Sequence, residues 1–168
     1  TYASCFDQGG EGIAHRYPFF DAGSGKIITL EHAINACREA NGEEPLGYKK
    51  GDIADISAYM SYTSRGNIIN IVIPDDPRAL EIYEQGKQFF YAKRVQLNMS
   101  CADCHVTSSG NKIRADILSP ALGQTTHFPV YRSKCVGLVT MHRLYDGCNN
   151  HVSAMPFQSQ GDVYRELE

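Results

Sequence analysis

Apolar residues recur at helical intervals in LEHAINACREAN, residues 30–41, where Leu30, Ala33, Ile34 and Cys37 share one face. Thr29 is placed to cap its start and Gly42 to end it. GDIADISAYMSYTSRG, residues 51–66, predicts a second helix with Ile53, Ile56, Tyr59 and Met60 on one side. After PDDP a third opens at about Pro77 and runs to about Arg94, carrying Leu80, Tyr83, Phe90 and Tyr91. Between the second and third lies IINIVI, residues 68–73, an extended, strand-sized apolar run. The pattern predicts a mainly α chain in three parts: a first block over 1–64, a linker over 65–76 and a second block over 77–168.

The two blocks repeat one another. The interval from Pro18 to Cys37 equals that from Pro129 to Cys148, and Cys37 to Pro45 equals Cys148 to Pro156. Each first proline follows an aromatic residue, Tyr17 or Phe128, and each second one is followed by Gly-Asp, at Gly51-Asp52 and Gly161-Asp162. A duplicated unit is the simplest cause. Alignment of the block starts sets CADCH, residues 101–105, beside YASCF, residues 2–6. Cys5 then matches Cys104, while Tyr2 and Phe6 stand where the second block has Cys101 and His105.

Bulk properties narrow the function. With 168 residues, 42% of them hydrophobic, the chain suits one ordinary domain or two very small ones around a real core. A formal charge of −3 and no basic run argue against nucleic acid. No apolar stretch is long enough to span a bilayer, and a start at Thr1 reads as a processed or trimmed product.

The six cysteines carry the chemistry. Cys101, Cys104 and His105 form CxxCH, the attachment motif of a c-type haem: two thiols add to the vinyl groups and the adjacent imidazole binds iron. Zinc would need a second close pair of ligands, and no other CxxC or HxxxH occurs. A redox dithiol of the thioredoxin kind belongs beside a βαβ pattern, whereas these surroundings read as helical. The expectation is one covalently bound haem c, with maturation in the periplasm, where disulfides also form. The second axial ligand stays open at this point. Cys148 recurs as Cys37 in the first block, which favours it and leaves Cys5 and Cys37 free to pair. The alternative is a Cys135–Cys148 disulfide with Met155 on the iron of a plain electron-transfer cytochrome.

GIAHRYP, LEHAINACR, SRGN, QLNMSCADCH, IRADILSPALG, FPVYR, MHRLYDGC and GDVYRELE, in this order, resemble the A subunit of the SoxAX cytochromes of sulfur-oxidising bacteria. The resemblance implies two fused cytochrome c-like modules, the first without haem, a Cys5–Cys37 disulfide standing where that haem would sit, and iron held by His105 and Cys148. It also implies an S-thiosulfotransferase that oxidatively joins thiosulfate to a cysteine of the carrier SoxYZ, passing electrons to an acceptor cytochrome c, in a heterodimer with the haem-bearing SoxX subunit. A related activity joins two thiosulfates into tetrathionate. The family pattern sets an arginine four residues before the ligand cysteine. That position is Leu144 here, and Arg143, one residue earlier and about 100° round a helix, is the nearest candidate for the catalytic cation beside Cys148.

Overall fold

The computed structural model describes residues 2–113 and 115–168. Thr1, which opens the first block, and Arg114, in the motif IRADILSPALG, lie outside the described residues. The chain begins with short 3₁₀ turns and an antiparallel hairpin, β1 (Phe19–Asp21) with β2 (Lys26–Ile28), in which Phe19 faces Ile28. Helix α1 (Leu30–Ala40) follows at once. Thr29 caps it, its Oγ1 accepting from the His32 amide at 3.2 Å. Helix α2 (Asp52–Thr63) starts after Gly51, whose φ of 74° is a left-handed value that favours glycine. Ile13, Leu30, Ile34, Ile53, Ala54 and Met60 bury one apolar cluster between these elements, and Tyr2 and Phe6 pack against it.

Helix α3 (Pro77–Tyr91) is capped by Asp76, whose Oδ1 accepts from the Arg78 amide at 2.9 Å. It ends short of the expected Arg94, because Ala92 is extended and Arg94 pairs its backbone with Met99 instead, at 3.1 and 3.3 Å. The run 68–73 is irregular: it has no strand partner, and Ile68 and Val72 are exposed. Among the described residues each sheet is a two-stranded hairpin, and none of them pairs an outer edge with this run.

The C-terminal part continues with a π-type turn (Asp103–Thr107), a small hairpin of β3 (Lys112–Ile113) and β4 (Asp116–Ile117), then β5 (Val130–Arg132) paired with β6 (Gly137–Val139), helix α4 (Met141–His151) and helix α5 (Asp162–Leu167). The order of 3₁₀ turn, cis proline, hairpin and helix occurs twice at one constant offset, Ala14 with Thr125, Pro18 with Pro129 and Leu30 with Met141. The two sets interlock. The Thr140 amide and hydroxyl donate to the carbonyls of Lys49 and Tyr48 at 3.1 and 2.7 Å, and the Arg165 guanidinium donates to the Ile27 carbonyl at 3.2 Å. α3 crosses α5 at Gly86, where a Cβ would overlap the Glu166 carbonyl.

The seam between the repeated helices buries ionisable groups. Glu31 on α1 and His142 on α4 occupy equivalent positions, 8% and 2% exposed. The Ser57 hydroxyl donates to Glu31 at 2.8 Å, and His142 Nε2 lies 3.1 Å from the Glu168 carboxylate, out of line for a good hydrogen bond. Burial, reinforced by the charge of Glu168, raises the Glu31 carboxyl to about 7.

Candidate functional site: a cleft between the CxxCH turn and helix α4

Ser100 and Asp103 make the CxxCH segment turn. The Ser100 amide and hydroxyl both donate to Asp103 Oδ2, at 2.8 and 3.0 Å, and the Asp103 amide donates back to Ser100 Oγ at 3.1 Å. This reciprocal cap starts a helical turn at Cys101 and brings both thiols and the imidazole to one side of the chain. His105 is oriented by its Nδ1, which donates to the Ser119 carbonyl at 2.8 Å. A carbonyl only accepts, so Nδ1 carries the proton and Nε2 keeps a free lone pair, the state a metal ligand needs. The His105 carbonyl in turn accepts from the Ala121 amide at 2.9 Å, fixing the following loop.

Cys101, Cys104 and His105 line a cleft together with Leu144 and Cys148 of α4 and Val152 at its C-cap, spaced one helical turn apart. The cleft encloses about 1090 Å³ of atom-free space, counting its mouth. Its remaining surface is mostly apolar, from residues such as Phe89, Phe90, Ile113 and Leu118. Burial, together with the neighbouring Cys101 and Cys104, pushes the Cys148 thiol up to about 11, while Arg132 pulls it down. Burial also raises Cys101, with Arg94 lowering it, and raises Cys104. A thiol so placed becomes a thiolate at neutral pH only beside a strong cation such as a metal. Two thiols at CxxC spacing, an imidazole with a free lone pair and a further thiol in the same apolar cleft fit a covalently attached haem.

Cys148 and His105 are brought to the same cleft. Arg143 is half-buried on α4 but is not among the lining residues, whereas Leu144, one position on, is. Cys5 and Cys37 are joined by a disulfide with Cα atoms 5.7 Å apart. Cys135 and Cys148 are both free thiols, and Met155 is 87% exposed outside the cleft, so the alternative of a Cys135–Cys148 bridge with Met155 on iron has no support in this geometry, although Met99 and Met141 do line the cleft. Two residues that the sequence pattern did not single out also matter: Arg94, which lines the cleft, and Asn149, next to Cys148. Their significance lies in a contact between distant segments, which no local motif signals.

Helical architecture and a CxxCH-walled apolar cleft define a c-type cytochrome. The SoxA/TsdA cytochrome c domain family matches residues 1–69. The L-cysteine S-thiosulfotransferase subunit SoxA of Allochromatium vinosum is 54% identical over 168 residues, covering 99% of this chain and 59% of that protein. The corresponding subunit of Paracoccus pantotrophus is 38% identical over 170 residues, covering 99% and 57%. The crystal structure of SoxXA from P. pantotrophus superimposes with a TM-score of 0.86 at 36% identity, over 100% of this chain and 63% of the other. The chain is similar to SoxA subunits along its whole length, and it spans about three-fifths of the length of the curated relatives it matches.

Proposed function

We propose that this chain is the haem-bearing core of an S-thiosulfotransferase subunit, which oxidatively conjugates thiosulfate to a cysteine of a SoxYZ-type carrier. The observation that carries the reading is Cys148 lining the same apolar cleft as the CxxCH turn, in a chain 51–54% identical to curated thiosulfotransferase subunits. In this reading residues 1–64 are a cytochrome c-like module without haem, 65–76 a linker and 77–168 the module with the single haem c. The Cys5–Cys37 disulfide and the packed rings of Tyr2 and Phe6 support the loss of a site from the first module.

Cys101 and Cys104 would hold the haem as thioethers, with His105 and Cys148 as the iron ligands. When bound, the haem supplies a one-electron couple at the cleft. The protein's part is orientation and exclusion of water: Ser119 holds the His105 ring, and α4 presents Cys148 from apolar surroundings. In the overall reaction the terminal sulfur of thiosulfate bonds to the carrier thiol sulfur, the thiol proton is released, and two electrons leave for an acceptor c-type cytochrome. Thiosulfate is a dianion, so the reaction needs cations near Cys148: Arg132 acts on that sulfur, whereas Arg143, the candidate by family resemblance, does not line the cleft. The partners are a SoxX-type haem subunit, the carrier and the acceptor cytochrome, and the compartment is the periplasm, where haem c attachment and the disulfide are both accommodated.

The test combines mass and spectroscopy. Intact mass of the purified protein should show one haem, and its ferric electron paramagnetic resonance spectrum a low-spin thiolate signal that Cys148→Ala abolishes and Met155→Ala leaves alone. Conjugation of thiosulfate to the carrier cysteine, read by mass, should fall by roughly two orders of magnitude or more in Cys148→Ala. Thiolate ligation that survives in Cys148→Ala, or tetrathionate as the product with carrier present, would refute the reading.

A further inference from the structure

Arg94 lines the cleft together with the CxxCH turn and α4. Its backbone pairs with Met99, N to O at 3.1 Å and O to N at 3.3 Å, closing a tight loop that leads straight into Ser100 and Cys101. Its guanidinium lies 4.1 Å from the Phe89 ring centroid and 5.7 Å from that of Phe157, which leaves the side chain little freedom. From there Nη2 donates to Asn149 Oδ1 at 3.2 Å.

Asn149 follows Cys148 on α4 and is 5% exposed. Its amide is fully committed: Oδ1 accepts from Arg94, and Nδ2 donates to the Tyr145 carbonyl at 2.9 Å and the Tyr164 hydroxyl at 3.1 Å. Tyr164 is itself anchored, donating to Asp146 at 3.2 Å and accepting from the Phe157 amide at 3.1 Å, and Asp146 pairs with Lys49 at 2.6 Å. Apart from Arg94 Nε, which is buried without a partner, these side-chain groups are paired, so a shift of Arg94 or Asn149 leaves a further buried polar group unpaired.

We propose that Arg94 and Asn149 form a strut that ties the haem-attachment loop to the helix carrying Cys148, and so hold Cys148 on the iron. The proposal rests on the reading of Cys148 as an iron ligand. Arg94 and Asn149 are positioning residues: they act through Cys148. The iron-to-sulfur bond requires a set separation between the CxxCH turn and α4. Arg94 is the side chain that joins those two segments directly, anchored by main chain at one end and by a charge-assisted hydrogen bond at the other.

The test is the rate at which cyanide displaces the native ligand from the ferric haem of the intact protein, read optically, in Arg94→Gln, Arg94→Lys, Asn149→Ala and Cys148→Ala. Loss of the strut should speed displacement roughly tenfold, the scale of one charge-assisted hydrogen bond. The thiolate resonance signal should split into a mixture at the same time. Lys keeps the charge but has neither the planar fork nor its stacking, so Arg94→Lys should behave like Arg94→Gln. Replacing Cys5 and Cys37 together by serine, which removes a bridge whose cysteines do not line the cleft, is the control for instability alone and should exchange at the wild-type rate. Wild-type rates in both Asn149→Ala and Arg94→Lys overturn the strut, whether or not Arg94→Gln loads haem; rates raised as much by the Cys5→Ser, Cys37→Ser double variant also overturn it. If Cys148→Ala retains the wild-type spectrum and rate, the ligand assignment fails, which is a separate result from loss of the strut.

Discussion

Glu31→Gln offers a quantitative test of the buried seam. The Glu31 carboxyl is held at about 7 against an ordinary 4.5, mainly by burial and then by the charge of Glu168, while the Ser57 hydrogen bond, the Glu31 backbone and His142 pull the other way. Between those two values the unfolded chain has lost the proton and the folded protein keeps it. The native state then binds more protons, and stability falls as pH rises through this window. Two to three units at about 1.4 kcal/mol each amount to a loss of about 3 kcal/mol, complete above pH 7 and absent below pH 4.5. Glutamine has the same shape, still accepts from Ser57 and never ionises. Glu31→Gln should therefore match the wild type near pH 4 and exceed it by about 3 kcal/mol at pH 8. Denaturant unfolding of the haem-loaded protein across pH 4–8.5 measures the difference directly. Parallel stability profiles for the two proteins would refute the reasoning, because they would mean that Glu31 ionises in the folded state as it does in the unfolded one.

Two further outcomes follow from packing and covalent linkage. Gly86→Ala should destabilise the protein by about 1–3 kcal/mol, since the new Cβ forces α3 away from the Glu166 backbone; an unchanged melting temperature would contradict the close crossing. Replacing Cys5 and Cys37 together by serine should cost about 2–4 kcal/mol in denaturant unfolding while leaving the haem spectrum as in the wild type, because the bridge lies in the first repeat, away from the cleft.

The repeat has a consequence for how the molecule is used. Both copies build the same turn, hairpin and helix, yet in the first the helix cysteine, Cys37, is tied to Cys5, and Tyr2 and Phe6 pack against an apolar cluster. In the second the corresponding Cys148 is a free thiol in the same cleft as Cys101, Cys104 and His105. One copy is therefore consolidated by a covalent bridge and aromatic packing, and the other keeps an open apolar cleft.

Much of the local structure was legible in the residues. α1 and α2 follow from apolar residues at helical intervals, and the starts of α1 and α3 from Thr29 and from Asp76 with Pro77, because caps and periodicity act within a turn or two of chain. The CxxCH spacing speaks of haem for the same reason, since one turn must present both sulfurs, and equal intervals around Cys37 and Cys148 made the repeat visible. Other features were set by what the chain met after folding. α3 stops at Tyr91 because Arg94 finds Met99, and 68–73 is no strand because none of the hairpins packs where its edge could pair with that run. Only the tertiary structure turns Leu144 rather than Arg143 into the cleft, buries Glu31 against Glu168, and joins Arg94 to Asn149. Those contacts depend on how distant helices pack, and burial and charge at such a contact belong to the assembled interior rather than to any one segment.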